Sequence, residues 1–134
     1  MTALTIIEGI GETYAQKLQE AGLTTTEALL EAGATAKGRQ ELGDKTGIAP
    51  TRILEWINRA DLFRIKGVSE EYADLLEVAG VDTVPELARR NADNLYAKIQ
   101  EVNAEKRLVR RLPGQNQVAG WVEQAKELPR VVSY

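Results

Sequence analysis

Apolar positions recur every three or four residues through most of this 134-residue chain, in short stretches punctuated by glycine and proline. In "ETYAQKLQEAG" Tyr14, Ala15, Leu18 and Ala21 share one helical face, and Gly22 supplies the stop. "TTTEALLEAG" predicts a second helix, opened by a threonine cap and closed by Gly33. "TAKGRQELGDKTG" and "PTRILEWINRA" follow, parted at residues 47–50, with Pro50 suited to a first helical position. Beyond them, "SEEYADLLEVAG", "VPELARRN", "ADNLYAKIQEVNAEKRLVRR" and "GQNQVAGWVEQAKEL" continue the helical spacing. No stretch alternates as a half-buried strand would. The pattern predicts an all-α fold of short helices. Trp56 falls among Ile53, Ile57 and Ala60, and Trp121 among Val118, Val122 and Ala125, so both indoles are expected in the core.

The pattern is written twice. Shifting the chain by 58 residues aligns residues 7–29 with 65–87, and ten of the 23 pairs are identical, from Ile7/Ile65 and Gly9/Gly67 to Thr25/Thr83 and Leu29/Leu87. A shift of 65 then pairs "ILEWINRA" with "VAGWVEQA", so the second copy carries seven extra residues. Two units are expected, residues 1–62 and 63–134, packed together. The joint at residues 61–64 contains no Pro, Gly or Ser, which predicts a packed junction rather than a flexible linker.

Composition narrows the chemistry. Cysteine and histidine are both absent, which removes disulfides, thiolate nucleophiles, the usual zinc ligands and the usual neutral-pH base. Neither serine, Ser69 or Ser133, has a histidine to activate it, and no carboxylate pair is spaced as a catalytic acid and base. "GATAKGR" resembles a phosphate-binding loop only superficially, since Arg39 and Gln40 replace the required Lys-Ser/Thr and no strand precedes it. No enzyme activity, cofactor, metal or small-molecule substrate is expected. Without an apolar run near 18 residues or a signal-peptide pattern, a cytoplasmic protein with no membrane span is expected. Net charge is −3, and it is uneven. Residues 1–62 hold six Lys/Arg against nine Asp/Glu, whereas residues 63–134 hold eleven of each and include the basic run "EKRLVRR". Local patches of this kind matter more to binding than the total.

Two glycines bracket one isoleucine in "IEGIGETYAQKL", just before a helix. Such a segment makes a tight turn: glycine reaches backbone angles closed to other residues, the apolar residue plugs the core, and the next helix presents free N–H groups. The segment resembles the second half of a helix-hairpin-helix motif, with Ala15 and Leu18 packing behind Gly9, Ile10 and Gly11. "IKGVSEEYADLL" is similar, with Ser69 at the second glycine's place. "TGIAPTRILEWI" and "RLPGQNQVAGWV" resemble further, divergent hairpins. As a whole, the chain is similar to a bacterial family of uncharacterised proteins with duplicated helix-hairpin-helix units.

In that superfamily hairpin amides grip a DNA phosphate without reading bases, helped by a nearby Lys or Arg. The resemblance implies backbone donors at Gly9, Ile10 and Gly11 with Lys17 as the downstream cation. It implies a second set at Gly67, Val68 and Ser69 beside Arg64 and Lys66, and a third at Gly114, just after Arg110 and Arg111. Arg107, Arg110 and Arg111 form the densest cationic group. Against this, Glu12, Glu70 and Glu71 stand at helix starts, where a carboxylate competes for the same amides. Two functions therefore remain open: a module binding nucleic-acid backbones weakly and without sequence specificity, or a protein-interaction adaptor whose hairpins have lost phosphate binding.

Overall fold

The computed structural model describes residues 3–134. Among the described residues eight α-helices follow a 3-10 turn at Leu4–Ile6: α1 (Glu12–Glu20), α2 (Thr26–Ala32), α3 (Ala36–Thr46), α4 (Pro50–Leu62), α5 (Glu70–Val78), α6 (Val84–Ala88), α7 (Ala92–Lys106) and α8 (Gln115–Glu127). No strand occurs among the described residues, although an isolated antiparallel bridge pairs Ala3 with Thr25. The all-α expectation holds. The chain divides into two units, one running to Asp61 and including Val131–Tyr134, the other spanning Leu62–Arg130.

Each unit has its own core. In the first, Ile7, Leu18, Leu29, Ile53, Trp56 and Ile57 are buried. In the second, α8 packs on α6 and α7, and α5 packs on α7, enclosing Ile65, Leu76, Leu87, Leu95, Ile99 and Trp121. Both tryptophans are buried, as their apolar stripes predicted.

Most of the repeated residues have matching structural roles. Leu18 and Leu76, like Leu29 and Leu87, are fully buried. Gly22 (φ +91°) and Gly80 (φ +97°) end α1 and α5 in the left-handed region. Beyond them Leu23 N–H donates to Leu18 C=O at 2.9 Å, and Val81 N–H to Leu76 C=O at 2.8 Å, closing a Schellman turn on each helix. Thr25 and Thr83 then cap α2 and α6 through their hydroxyls, which accept from Ala28 N–H (3.1 Å) and Glu86 N–H (3.4 Å).

The structure departs from the sequence pattern at α7, which ends at Lys106 instead of running on to Arg111. Asn103 accounts for the stop. Its amide donates to Val109 C=O at 3.1 Å and its side-chain oxygen accepts from Val109 N–H at 3.0 Å. Arg107 turns the chain in the left-handed region (φ 51°, ψ 48°), and Val109 is buried as a result. The burial of an apolar residue three past the last helical residue thus outweighs the helix preference of the basic residues around it.

"GATAKGR" also finds its explanation in packing. A Cβ on Gly33 would strike Ile57 of α4, and one on Gly38 would strike the carbonyl of Ala32. Arg39, only 5% exposed, donates to Gly33 C=O at 2.8 Å and to Ser133 C=O at 2.7 Å. Ser133 N–H donates to Ala34 C=O at 2.8 Å. The loop therefore seats the C-terminal residues on the first unit.

Candidate functional site

The first turn is built by Ile7, whose carbonyl accepts from Ile10 N–H at 3.0 Å. Gly9 stands at the corner with φ +94°, an angle that strains any side-chain-bearing residue. Ile10 is buried as the plug, while its N–H is spent inside the turn and so is not a donor to a ligand. Gly11 is extended (φ −90°, ψ −171°) and forms the N-cap of α1, which has no side-chain cap. A Cβ there would meet nothing within 4 Å, so this position does not require glycine.

The second turn follows the same plan. Val68 N–H donates to Ile65 C=O at 3.2 Å, Gly67 has φ +93°, and Val68 is buried. Ser69 occupies the N-cap of α5, its hydroxyl accepting from Tyr72 N–H at 3.4 Å. The apparent mismatch between Gly11 and Ser69 is therefore a choice between two good N-cap residues.

Behind each turn stands a tryptophan. A Cβ on Gly9 would lie 3.2 Å from the Trp56 Nε1, and one on Gly67 3.1 Å from the Trp121 Nε1. Tyr14 meets Trp56 edge-on at 5.1 Å between centroids, and Tyr72 meets Trp121 at 5.5 Å with a 52° tilt. The tyrosines are half-buried struts rather than free stacking platforms.

The cations expected at these turns have varied settings. Lys17, exposed on α1, lies 5.9 Å from the Tyr14 ring centroid. Arg64 is half-buried and donates from Nη2 to Pro129 C=O at 2.7 Å. Lys66 exposes its side chain, but its backbone is held by Gln124, which accepts from its N–H (2.9 Å) and donates to its C=O (3.2 Å). Arg107, Arg110 and Arg111 are exposed beyond α7. Arg111 C=O accepts from the Tyr72 hydroxyl at 3.0 Å, which ties this basic turn to the first turn of α5. Gly114 is the extended N-cap of α8, and its N–H donates to Gln117 Oε1 at 3.4 Å. The second unit thus brings Gly67, Tyr72, Arg111 and Trp121 into one neighbourhood through Tyr72.

Sequence reasoning missed two cations in the first unit. Arg52, in the first turn of α4, places its guanidinium 5.5 Å from the Tyr14 ring centroid. Lys45, in the last turn of α3, lines an open cleft with Lys17, Glu20, Ala21 and Thr46. Both flank the divergent hairpin at residues 47–50, and that flanking position was the available signal. Among the described residues, no group of three or more acidic side chains is placed to hold a metal ion. No described helix is long and apolar enough to cross a membrane.

Residues 8–128 match the family described as Domain of unknown function (DUF4332). The chain belongs to the DUF4332 family. The match covers both corner glycines, both tryptophans and all eight described α-helices, so the duplicated arrangement falls almost entirely within this DUF4332 domain. No curated protein and no solved structure matches the chain.

Proposed function

We propose that this DUF4332 protein is a non-enzymatic, cytoplasmic module that binds nucleic-acid backbones without sequence specificity. In this reading its repeated turns are helix-hairpin-helix units. The observation that carries the reading is the bond from Tyr72 to Arg111 C=O, which ties the backbone at the end of the arginine run to the first turn of α5. Phosphate contacts made by arginines and backbone amides position a protein on nucleic acid without conveying sequence. In this reading the N–H groups at the start of the helices serve as donors, while those of Ile10 and Val68 are used within the turns.

The adaptor reading has less support. Among the described residues the large hydrophobic side chains left exposed are Val78 and Tyr134, which form no apolar docking patch within either unit. Protein interfaces generally bury an apolar centre.

The test is a fluorescence titration of labelled duplex and single strand at several salt concentrations. Affinity is expected to be micromolar or weaker at physiological salt, with a log–log salt slope near −3 if three or four phosphates are neutralised. Arg110→Glu with Arg111→Glu should weaken binding equally for unrelated sequences. Absence of binding even at low salt, with Glu12→Lys equally inactive, leaves the adaptor reading as the survivor.

A further inference from the structure

We propose that Lys17, Lys45 and Arg52 form one anion-binding face on the first unit, which receives successive phosphates of a phosphate chain. The three cations come from three helices. Lys17 of α1 and Lys45 of α3 border the same open cleft, about 400 Å³ in volume. Lys17 and Arg52 of α4 both stand on the Tyr14 ring, at 5.9 and 5.5 Å. Lys17 belongs to both groups and so makes them continuous.

Charge supports the assignment. Among the described residues none of the three cations is held in a salt bridge. Glu20 lines the cleft without pairing to either lysine, and Asp44 instead accepts from the Gln40 amide at 3.2 Å. The grouping occurs in the half of the chain where acids outnumber bases. Helix dipoles account for part of the pattern, because Lys17 and Lys45 lie in the last turns of α1 and α3, where cations are favoured. Arg52 lies in the first turn of α4, the end at which a cation is disfavoured. An approaching anion gives that arginine a use which the dipole does not. Cations spread over three helices suit a run of phosphates better than a single phosphate.

For DNA or RNA this inference rests on the nucleic-acid reading, whereas inorganic polyphosphate offers the same chemistry without it. The experiment uses the full chain, fluorescein-labelled duplex and single strand, and polyphosphate as both competitor and direct ligand. The variants are Lys17→Gln/Lys45→Gln/Arg52→Gln and, separately, Arg110→Glu/Arg111→Glu. Three phosphate contacts at this face alone account for a roughly 40-fold fall in duplex affinity between 50 and 200 mM salt, from a slope of about −0.9 per phosphate. The triple variant should bind more than about ten-fold more weakly, with a flatter salt dependence. Polyphosphate should compete with duplex on the wild type.

If the triple variant binds all three ligands as the wild type does, the inference is overturned; loss of nucleic-acid binding in the Arg110/Arg111 variant would then leave the nucleic-acid reading intact. If polyphosphate binds through the three cations while both nucleic acids are ignored, the face stands and the nucleic-acid reading falls. Failure of all three ligands at low salt overturns the inference. The three side chains are exposed, and thermal unfolding will check that the variant folds. Should it not fold, amide chemical shifts of the wild type titrated with polyphosphate decide. Shifts at Tyr14, Lys45 and Arg52 support the face, and shifts confined elsewhere overturn it.

Discussion

The two units keep the same packing and change the charges laid over it. In each, a left-handed glycine approaches an indole nitrogen and a half-buried tyrosine leans on the same indole. Around Tyr14 the first unit places Lys17 and Arg52. The corresponding residues of the second unit are Leu75, which is buried, and Gln117, which accepts from Gly114 N–H. Tyr72 instead uses its hydroxyl to hold the turn carrying Arg111. The difference separates two kinds of constraint. Residues that set backbone angle and core shape recur, because a misplaced Cβ or a lost indole damages the fold wherever it occurs. Charges at the rim are free to differ, and they are where the two units have acquired separate surfaces.

The largest effect tests whether the tryptophans are equivalent. Trp56→Ala and Trp121→Ala should each cost on the order of 3–5 kcal/mol, measured by denaturant titration. A loss below about 1 kcal/mol at either site would break the equivalence, since a buried indole cannot be removed that cheaply. Next come the corner glycines. Gly9→Ala and Gly67→Ala impose a left-handed angle on a residue with a Cβ and press that Cβ toward an indole, so each should cost about 1–3 kcal/mol. Gly11→Ala, at an extended and open position, loses only part of an N-cap preference and should cost under about 1 kcal/mol. Equal costs at Gly9 and Gly11 would show that the two glycines of the motif do not have the separate roles assigned to them.

Much of this was readable from the chain. The spacing of Leu18, Leu29 and Trp56 and the stops at Gly22 and Gly80 report local physics, in which one residue's conformational preference decides the outcome. The division of labour between Gly9 and Gly11 was hidden, because glycine serves a left-handed corner and an N-cap alike; only Ser69 hinted at it. The end of α7 was hidden for a different reason. It depends on Asn103 reaching forward to Val109, a tertiary arrangement of neighbours in sequence that helical periodicity does not encode. The cationic face escaped notice because Lys17, Lys45 and Arg52 are dispersed along an acidic half and meet only when α1, α3 and α4 pack.

Arg107 offers a smaller and sharper test, confined to the second unit. It is the described non-glycine residue with positive φ, so Arg107→Gly relieves a left-handed strain of about 1 kcal/mol while deleting a candidate phosphate contact. Stability should rise modestly in thermal unfolding as nucleic-acid affinity falls. A variant that loses stability would show that the arginine side chain, not the chain reversal, secures the end of α7.

The smallest effect addresses the one position where the two turns differ in both chemistry and consequence. Gly11→Ser and Ser69→Gly exchange the N-caps of α1 and α5. Serine and glycine differ by only a few tenths of a kcal/mol as N-caps, so the first exchange should slightly stabilise and the second slightly destabilise. Their effects on phosphate binding should be larger than their effects on folding. At position 11 a hydroxyl would accept from an early amide of α1, as Ser69 does from Tyr72, and would withdraw that donor from an incoming anion. Glycine at position 69 would release the equivalent amide of α5 beside the turn that carries Arg111. Titrating both variants with the same labelled duplex at one low salt concentration should therefore move the affinities in opposite directions: weaker for Gly11→Ser and tighter for Ser69→Gly. If both variants bind as the wild type does, the helix-start amides take no part, and whatever binding exists belongs to the lysines and arginines alone.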